Sequence, residues 1–407
     1  MNYYLNRFSF REQIINDKPN TDLGIVVVIP CCKETDLLRS LKSLHDCNQP
    51  NCSVEVIVVI NASENAEKSV VNQNEKTLIE AVYWRKENRN DYLNFFFIEE
   101  NNLPKKHAGV GLARKIGMDE AVRRLEEIKN HNGIIACFDA DAICETNYLV
   151  ELEKHFKDNP KSPACSIHFE HPIVGNEFSE AIYNGIMQYE LHLRYYKNGL
   201  AYAELPYAYH TIGSSMAVRS NVYQKQNGMN KRKAGEDFYF LQKLIPLGNF
   251  TELKTTKIIP SPRVSDRVPF GTGKAIQNWL DEEKQELLSY NPKSFTDLKE
   301  FVIAVPQLYN DENSIPETVQ SFLDTIDFKE NLINIKKNSK SENHFTEVFF
   351  KWFNAFKVLK YMHFARDNYY PDVIVFDGAN KLLVMTENNK KENLIELLEL
   401  YREWDRE

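Results

Sequence analysis

The chain has 407 residues, with 50 basic and 58 acidic side chains and a formal net charge of −8. Apolar residues make up 43% and charged residues 27%, ordinary globular values that exclude a disordered chain. At about 100–200 residues per domain the length predicts two domains, or one large domain with an appendage, and the acidic balance argues against a nucleic-acid partner, whose phosphates call for basic surfaces.

The first seven residues contain no apolar stretch of a secretory signal. Residues 23–30 are a continuous apolar run, mostly β-branched, and predict a strand buried on both faces. The longest apolar run, residues 25–32, is far short of the ~20 residues of a membrane span. Leu37, Leu38, Leu41 and Leu44 then recur at helical spacing. Residues 54–60 predict a second buried strand, 95–98 a third, 109–125 a helix and 134–138 a fourth strand. Strands alternating with helices imply crossover connections and a mostly parallel sheet. Residues 160–260 are less regular, with helices predicted over 179–196 and 237–245, the latter stopped by Pro246 and Gly248. Residues 260–273 carry the Pro and Gly of a loop, and 274–407 turn mainly helical. There Phe345, Phe349, Trp352, Phe353 and Phe356 form an aromatic stripe that predicts a helix core. The seven cysteines match no zinc spacing and no disulfide framework, and read as free thiols in a reducing cytoplasm.

Three short segments carry chemistry. Phe138-Asp139-Ala140-Asp141 ends a buried strand, where ligands of open α/β sheets bind. Two aspartates so spaced can turn toward one hard cation such as Mg²⁺ or Mn²⁺, although Asp is also common wherever strands end. Glu236-Asp237 opens an apolar helix, either as a cap or as a general base in a cleft. Pro30 and Glu34 follow the first strand directly.

Together these segments resemble glycosyltransferase family 2, over about residues 23–250. The P-x-x-x-E after the first strand matches Pro30 to Glu34, and Asn61 in VVINAS stands where the family touches the nucleobase. Gly111 and Arg114 match the family's G…A-R-x-x-G helix, Asp139 and Asp141 its D-x-D, Glu236 and Asp237 its E-D pair. The resemblance implies an α/β GT-A fold, a Rossmann-like, mostly parallel sheet flanked by helices, with a mainly helical C-terminal extension. It implies a GT-A domain over residues 1–270, with a nucleotide half at 23–145 and an acceptor half at 146–270, before a helical domain at 271–407. The implied reaction is metal-dependent and inverting, moving a sugar from a nucleotide-diphosphate donor, a UDP-sugar first among them, to a carbohydrate or glycolipid-type acceptor. Asp139 and Asp141 would hold the divalent ion, and Asp237, beside Glu236, would take the acceptor proton. Pro30, Glu34, Asn61, Gly111, Arg114 and Asp139 would bind the nucleotide-sugar. Arg263 and Arg267, in the loop before Phe270, either close over the diphosphate, as Arg forks match phosphate oxygens, or belong to a surface loop linking the two domains.

Asn61 departs from the acidic residue common at its position, which opens the question of which base it pairs. The chain has no Q-x-x-R-W segment and no span, which argues against a processive synthase. Cytoplasmic placement, including peripheral contact with the inner face of a membrane, is therefore expected. A nucleotidyltransferase would want a glycine-rich loop after the first strand, which Pro30 to Glu34 lacks. A dinucleotide fingerprint fails at Gly109-Val110-Gly111, where Arg114 replaces the third glycine. A non-catalytic sugar-binding module is the remaining alternative, with the intact acids weighing against it.

Overall fold

The computed structural model describes residues 2–265, 271–281, 286–310 and 314–407. Two compact units emerge, one of residues 1–175 with 211–274 and Arg406, the other of 176–210 with 275–405 and Glu407.

In chain order the first unit contains α1 (Tyr3–Phe8), β1 (Leu23–Cys31), α2 (Leu37–His45), β2 (Ser53–Ser63), α3 (Lys68–Glu87), β3 (Leu93–Leu103), α4 (Val110–Glu127), β4 (Ile134–Cys137), β5 (Ile143–Cys144), α5 (Tyr148–Asp158) and β6 (Ala164–Phe169). After α6 (Glu180–Tyr202), which belongs to the second unit, it resumes with β7 (Met216–Arg219), α7 (Ser220–Lys225), α8 (Glu236–Leu244) and β8 (Thr251–Ile259). The strands form one sheet in the order β3-β2-β1-β4-β7-β6-β8-β5. β3, β2, β1 and β4 run parallel, and β7 is antiparallel to both β4 and β6. The outcome is a mostly parallel, helix-flanked sheet, as the resemblance implied.

Burial on both faces explains the apolar runs. Ile25, Val27 and Ile29 pack with Leu37, Leu41 and Leu44 of α2 in one cluster. Val28 faces the other way, so close to α4 that a Cβ on Gly117 would lie 2.5 Å from its Cγ1. Each such fully buried aliphatic side chain contributes about 1.5–3 kcal/mol. Pro30 sits inside the central strand without costing a ladder bond. The β1–β4 ladder ends at Val28, whose carbonyl accepts from Phe138 N (3.0 Å). Backbone groups alternate sides along a strand, so the missing Pro30 N–H points toward β4 just beyond that end.

The second unit contains α6, α9 (Thr272–Asp281, its first residues in the first unit), β9 (Leu288–Ser289), α10 (Pro292–Ala304), α11 (Glu317–Leu323), α12 (Phe328–Lys337), α13 (Glu342–Trp352), α14 (Ala355–Asn368), β10 (Val373–Ile374), α15 (Val375–Met385) and α16 (Leu394–Arg406). The aromatic stripe is core: Phe345, Phe349 and Phe353 are fully buried, and Phe353 lies 5.1 Å from the Phe301 ring. It spans two helices, because the backbone breaks at Asn354, whose side chain caps α14 by accepting from Lys357 N. α6 and α16 share a buried ion cluster. Glu190 accepts from Arg194 and Arg402, and Asp405 from Arg194, Lys197 and His210. All seven cysteines are free thiols. Among the described residues no helix is long and apolar enough to cross a membrane.

Candidate active site

The site collects at the carboxyl ends of β1, β2 and β4, the N-terminal turns of α4 and α8, and the loop after β8. All of these lie in the first unit. β4 stops at Cys137, and the chain turns as Ala142 N bonds to Asp139 O (3.1 Å). Ser40 on α2 braces this turn, its hydroxyl lying 2.9 Å from Ala140 O and 2.6 Å from Ala142 O. Asp139 and Asp141 are thereby presented half-buried at the strand end.

Two arginines organise the carboxylates. Arg114, 2% exposed, donates through Nη2 to Asp139 Oδ1 (2.5 Å) and through Nη1 to Glu236 Oε1. Burial opposes the Arg114 charge, but Asp139 and Glu236 outweigh it and hold the guanidinium above its ordinary range. Gly213 leaves room for this fork, since a Cβ there would meet Nη1 at 2.2 Å. Gly111 permits the approach of the segment before α8, for a Cβ would meet Arg232 O at 2.3 Å and Glu236 Cβ at 2.9 Å. Arg263 spans the other two acids. Its Nη1 donates to Glu34 Oε1 (2.7 Å), its Nη2 to Glu34 Oε2, and its Nε to Asp141 Oδ2 (2.8 Å). Glu34 is fully buried and also accepts from Thr35 N and Asp36 N.

Glu236 and Asp237 differ in their surroundings. Glu236 is buried against Arg114, yet burial raises its carboxyl to about 7, with Arg114 pulling down and Asp237 pushing up. Asp237 is half-buried, accepts from Phe238 N (2.7 Å), and makes no salt bridge among the described residues. Burial raises its pKa as well. The Asn61 side chain, on a residue 4% exposed, has no hydrogen-bond partner among the described residues.

The acids fit a divalent cation. Among the described residues, the carboxylates of Glu34, Asp139, Asp141, Glu236 and Asp237 gather around the guanidiniums of Arg114 and Arg263. Among the described residues no third His, Cys, Asp or Glu completes an all-protein metal cage. That is the donor set expected of Mg²⁺ or Mn²⁺ bound through one or two carboxylates, substrate phosphates and water.

Contacts link Gly111, Arg114, Asp139 and Glu236, next to Asp237 in the chain, and Glu34, Asp141 and Arg263, while Pro30 and Asn61 stand near the carboxyl ends of the neighbouring strands β1 and β2 and Arg267 lies outside the described residues. His210 is bonded to Asp405 Oδ2 (2.7 Å) in the second unit's ion cluster. Ser40, Asn74, Thr77 and Gly213 were not anticipated. For Ser40 a signal exists, a hydroxyl within the apolar stripe Leu37, Leu41 and Leu44. A separate cavity of about 720 Å³, lined by Ser9, Arg11, Arg123 and Glu127 among others, holds none of the motif residues. Its Arg11 and Arg123 are already bonded, to Glu100 (2.8 Å) and Ser9 (3.0 Å).

Comparison with known proteins follows the same lines. The sequence model of glycosyl transferase family 2 matches residues 26–225. No curated protein matches the chain. Among solved structures, S. aureus TarS 1-349 is 15% identical, with 57% of this chain and 60% of that chain covered and a TM-score of 0.37. TarS 1-349 in complex with UDP-GlcNAc is 13% identical over 94% of this chain and 88% of that one, with a TM-score of 0.40. The mannosyltransferase PcManGT from Pyrobaculum calidifontis, in complex with GDP-Man and Mn²⁺, is 12% identical over 87% and 94%, with a TM-score of 0.39. Likeness at this level says nothing of donor or acceptor. The glycosyl transferase family 2 model thus covers residues 26–225, and the motif residues of that match stand at the strand ends of one mostly parallel sheet.

Proposed function

We propose that the chain transfers a sugar from a nucleotide-diphosphate donor to an acceptor hydroxyl, with inversion at the anomeric carbon. The observation that carries this reading is the division between the paired acids. Glu236 is tied to Arg114, whereas Asp237 stands beside it without a salt bridge among the described residues. Asp237 is accordingly the base. It accepts the acceptor's proton as the hydroxyl oxygen attacks the anomeric carbon and the bond to the diphosphate breaks. A raised pKa makes it a better base than an ordinary Asp at neutral pH.

The remaining residues bind and orient. Asn61 would meet the nucleobase through one donor and one acceptor. Glu34 and Arg114 hold the backbone and carboxylate framework around it, and Arg263 is placed to reach phosphate oxygens when it leaves Asp141. A divalent ion, Mn²⁺ or Mg²⁺, held by Asp139 and Asp141, would supply Lewis-acid stabilisation of the leaving diphosphate. The catalytic part is taken to end near residue 270, with nucleotide binding before residue 146 and acceptor binding after it. A carbohydrate or glycolipid-type acceptor, in the cytoplasm or at the inner face of a membrane, fits this reading.

The test is a panel of UDP-, GDP-, CMP- and dTDP-sugars with and without Mn²⁺, read by thermal shift and by release of nucleotide. A UDP-sugar is expected to raise the melting temperature and to be turned over, with loss of turnover on chelation. Binding of none of the panel would overturn the reading.

A further inference from the structure

The nucleoside end of the site rests on one amide outside every motif. Asn74, on α3, is fully buried. Its Nδ2 donates to the Asn61 carbonyl (3.0 Å) and to Asn101 Oδ1 (2.9 Å), and its Oδ1 accepts from Lys33 N (2.8 Å). Both amide protons are thus spent, together with one acceptor position. The three partners come from three different segments: the loop after β1, the end of β2, and β3.

Each partner sits where the backbone is irregular. Lys33 has φ of 51°, the left-handed region, which a residue with a Cβ occupies only when its surroundings hold it there. The β2–β3 register slips between Asn61 and Ser63, opposite Glu100 and Leu103, so β3 carries an extra residue beside Asn101. Bulges of this kind re-aim side chains next to functional sites. The neighbouring positions on α3 add to the grip, for Thr77 Oγ1 (2.5 Å) and Gln73 Nε2 (3.1 Å) both donate to the Glu34 carbonyl. One helix face therefore holds Lys33 by its N–H, and Glu34 and Asn61 by their carbonyls.

Asn61 itself is the independent observation. The residue is 4% exposed, and its amide makes no side-chain hydrogen bond among the described residues while keeping access to solvent. An amide placed in this way has a donor and an acceptor to offer a ligand that supplies the complement.

We propose that Asn74 is a positioning residue that sets the direction of the Asn61 amide, and through it the discrimination among nucleobases. This rests on the nucleotide-sugar reading of the site. An amide is required at position 74. Aspartate would set acceptors against the Asn61 carbonyl and Asn101 Oδ1, and alanine would leave the Lys33 N–H and the Asn61 carbonyl without this partner.

The experiment measures dissociation constants of UDP, GDP, CDP and dTDP, each with Mn²⁺, by calorimetry. The proteins are the full chain and its Asn74→Asp, Asn61→Ala and Asn61→Ala/Asn74→Asp variants, with melting curves to check folding. The best-bound diphosphate should weaken at least about tenfold in Asn74→Asp, roughly the loss of one well-made hydrogen bond, and the others less, so that selectivity collapses. In the Asn61→Ala background the second change should add little. Equal weakening of all four diphosphates, additive losses, or a parent chain that does not discriminate overturns the proposal. A parent chain that binds none of them overturns the nucleotide-sugar reading itself. If Asn74→Asp does not fold, Asn101→Ala carries the test by removing one acceptor of the same amide, and unchanged selectivity there overturns the proposal.

Discussion

In the α/β unit, Arg114 and Arg263 face Glu34, Asp139, Asp141, Glu236 and Asp237. In the helical unit, Glu190 and Asp405 face Arg194, Arg402, Lys197 and His210. The residue types are the same, but the balance is reversed. The helical cluster is nearly sealed, with Glu190 and Arg194 at 0% exposure, and each acid has several cationic donors. Among the described residues the α/β cluster has more acids than cations, and Asp139 and Asp141 are part-exposed. A sealed, fully paired cluster holds two helices together. On the proposed function, the open cluster would take a cation and a charged ligand. The comparison teaches that burial of ions is no sign of function in itself, and that uncompensated charge with access is.

The largest effect should come from Asp237, the acid of the open cluster that makes no salt bridge among the described residues. Asp237→Asn is expected to lower kcat by about 10²–10⁴-fold, the ordinary worth of a positioned base, with UDP binding in Mn²⁺ unchanged. Single-turnover kinetics beside calorimetry separates the two, and unchanged turnover would sink the assignment. In the sealed cluster the loss should appear in stability. Arg194→Met takes a donor from both Glu190 and Asp405 and should cost about 3–5 kcal/mol in urea unfolding, the range for an uncompensated buried charge. A cost below about 1 kcal/mol, that of an exposed pair, would show that the cluster is not sealed in solution.

A smaller effect tests the charge deficit. Arg263→Gln leaves Glu34 and Asp141 without their shared cation, so Mn²⁺ should stabilise the variant more than the parent. About tenfold tighter apparent binding, or about 1.4 kcal/mol, is expected in thermal shift. Equal stabilisation would mean that Arg263 does not compete for the cation site.

The smallest effect is in pH. Glu236 is raised to about 7 by burial, so the folded chain holds that proton more tightly than the unfolded chain. Its contribution to stability is present below pH 4.5 and is lost as pH rises through about 7. Asp405 goes the other way: despite burial, His210, Arg194 and Lys197 hold it well below 3.8, so its contribution is present above that value and is lost as pH falls beneath it. Urea midpoints from pH 3 to 8 should therefore lose the upper slope in Glu236→Gln and the lower one in Asp405→Asn.

Much of the α/β core was legible in the chain. The runs of β1, β2 and β4 are apolar because both faces are covered, and the site acids stand at fixed offsets from strand ends. What was not legible is just as specific. α3 has no apolar stripe to read, because only two of its buried positions are apolar. Ala81 and Trp84 fill the core, whereas Asn74 and Thr77 are polar and grip backbone. β5 is two residues long and pairs with β8, so it has no period to read. Nor could the spacing of Glu236-Asp237 say which acid serves, since the two are adjacent and chemically alike.

The sequence alone therefore determined the alternation of buried strands and helices, the segments that carry carboxylates, and the resemblance they form, because burial and strand ends impose local patterns. Only the tertiary structure decided which carboxylate each arginine takes. Arg114 meets Glu236 across 122 positions and Arg263 meets Glu34 across 229. Pairings at that distance are set by how the sheet and its loops converge, and no local pattern records them.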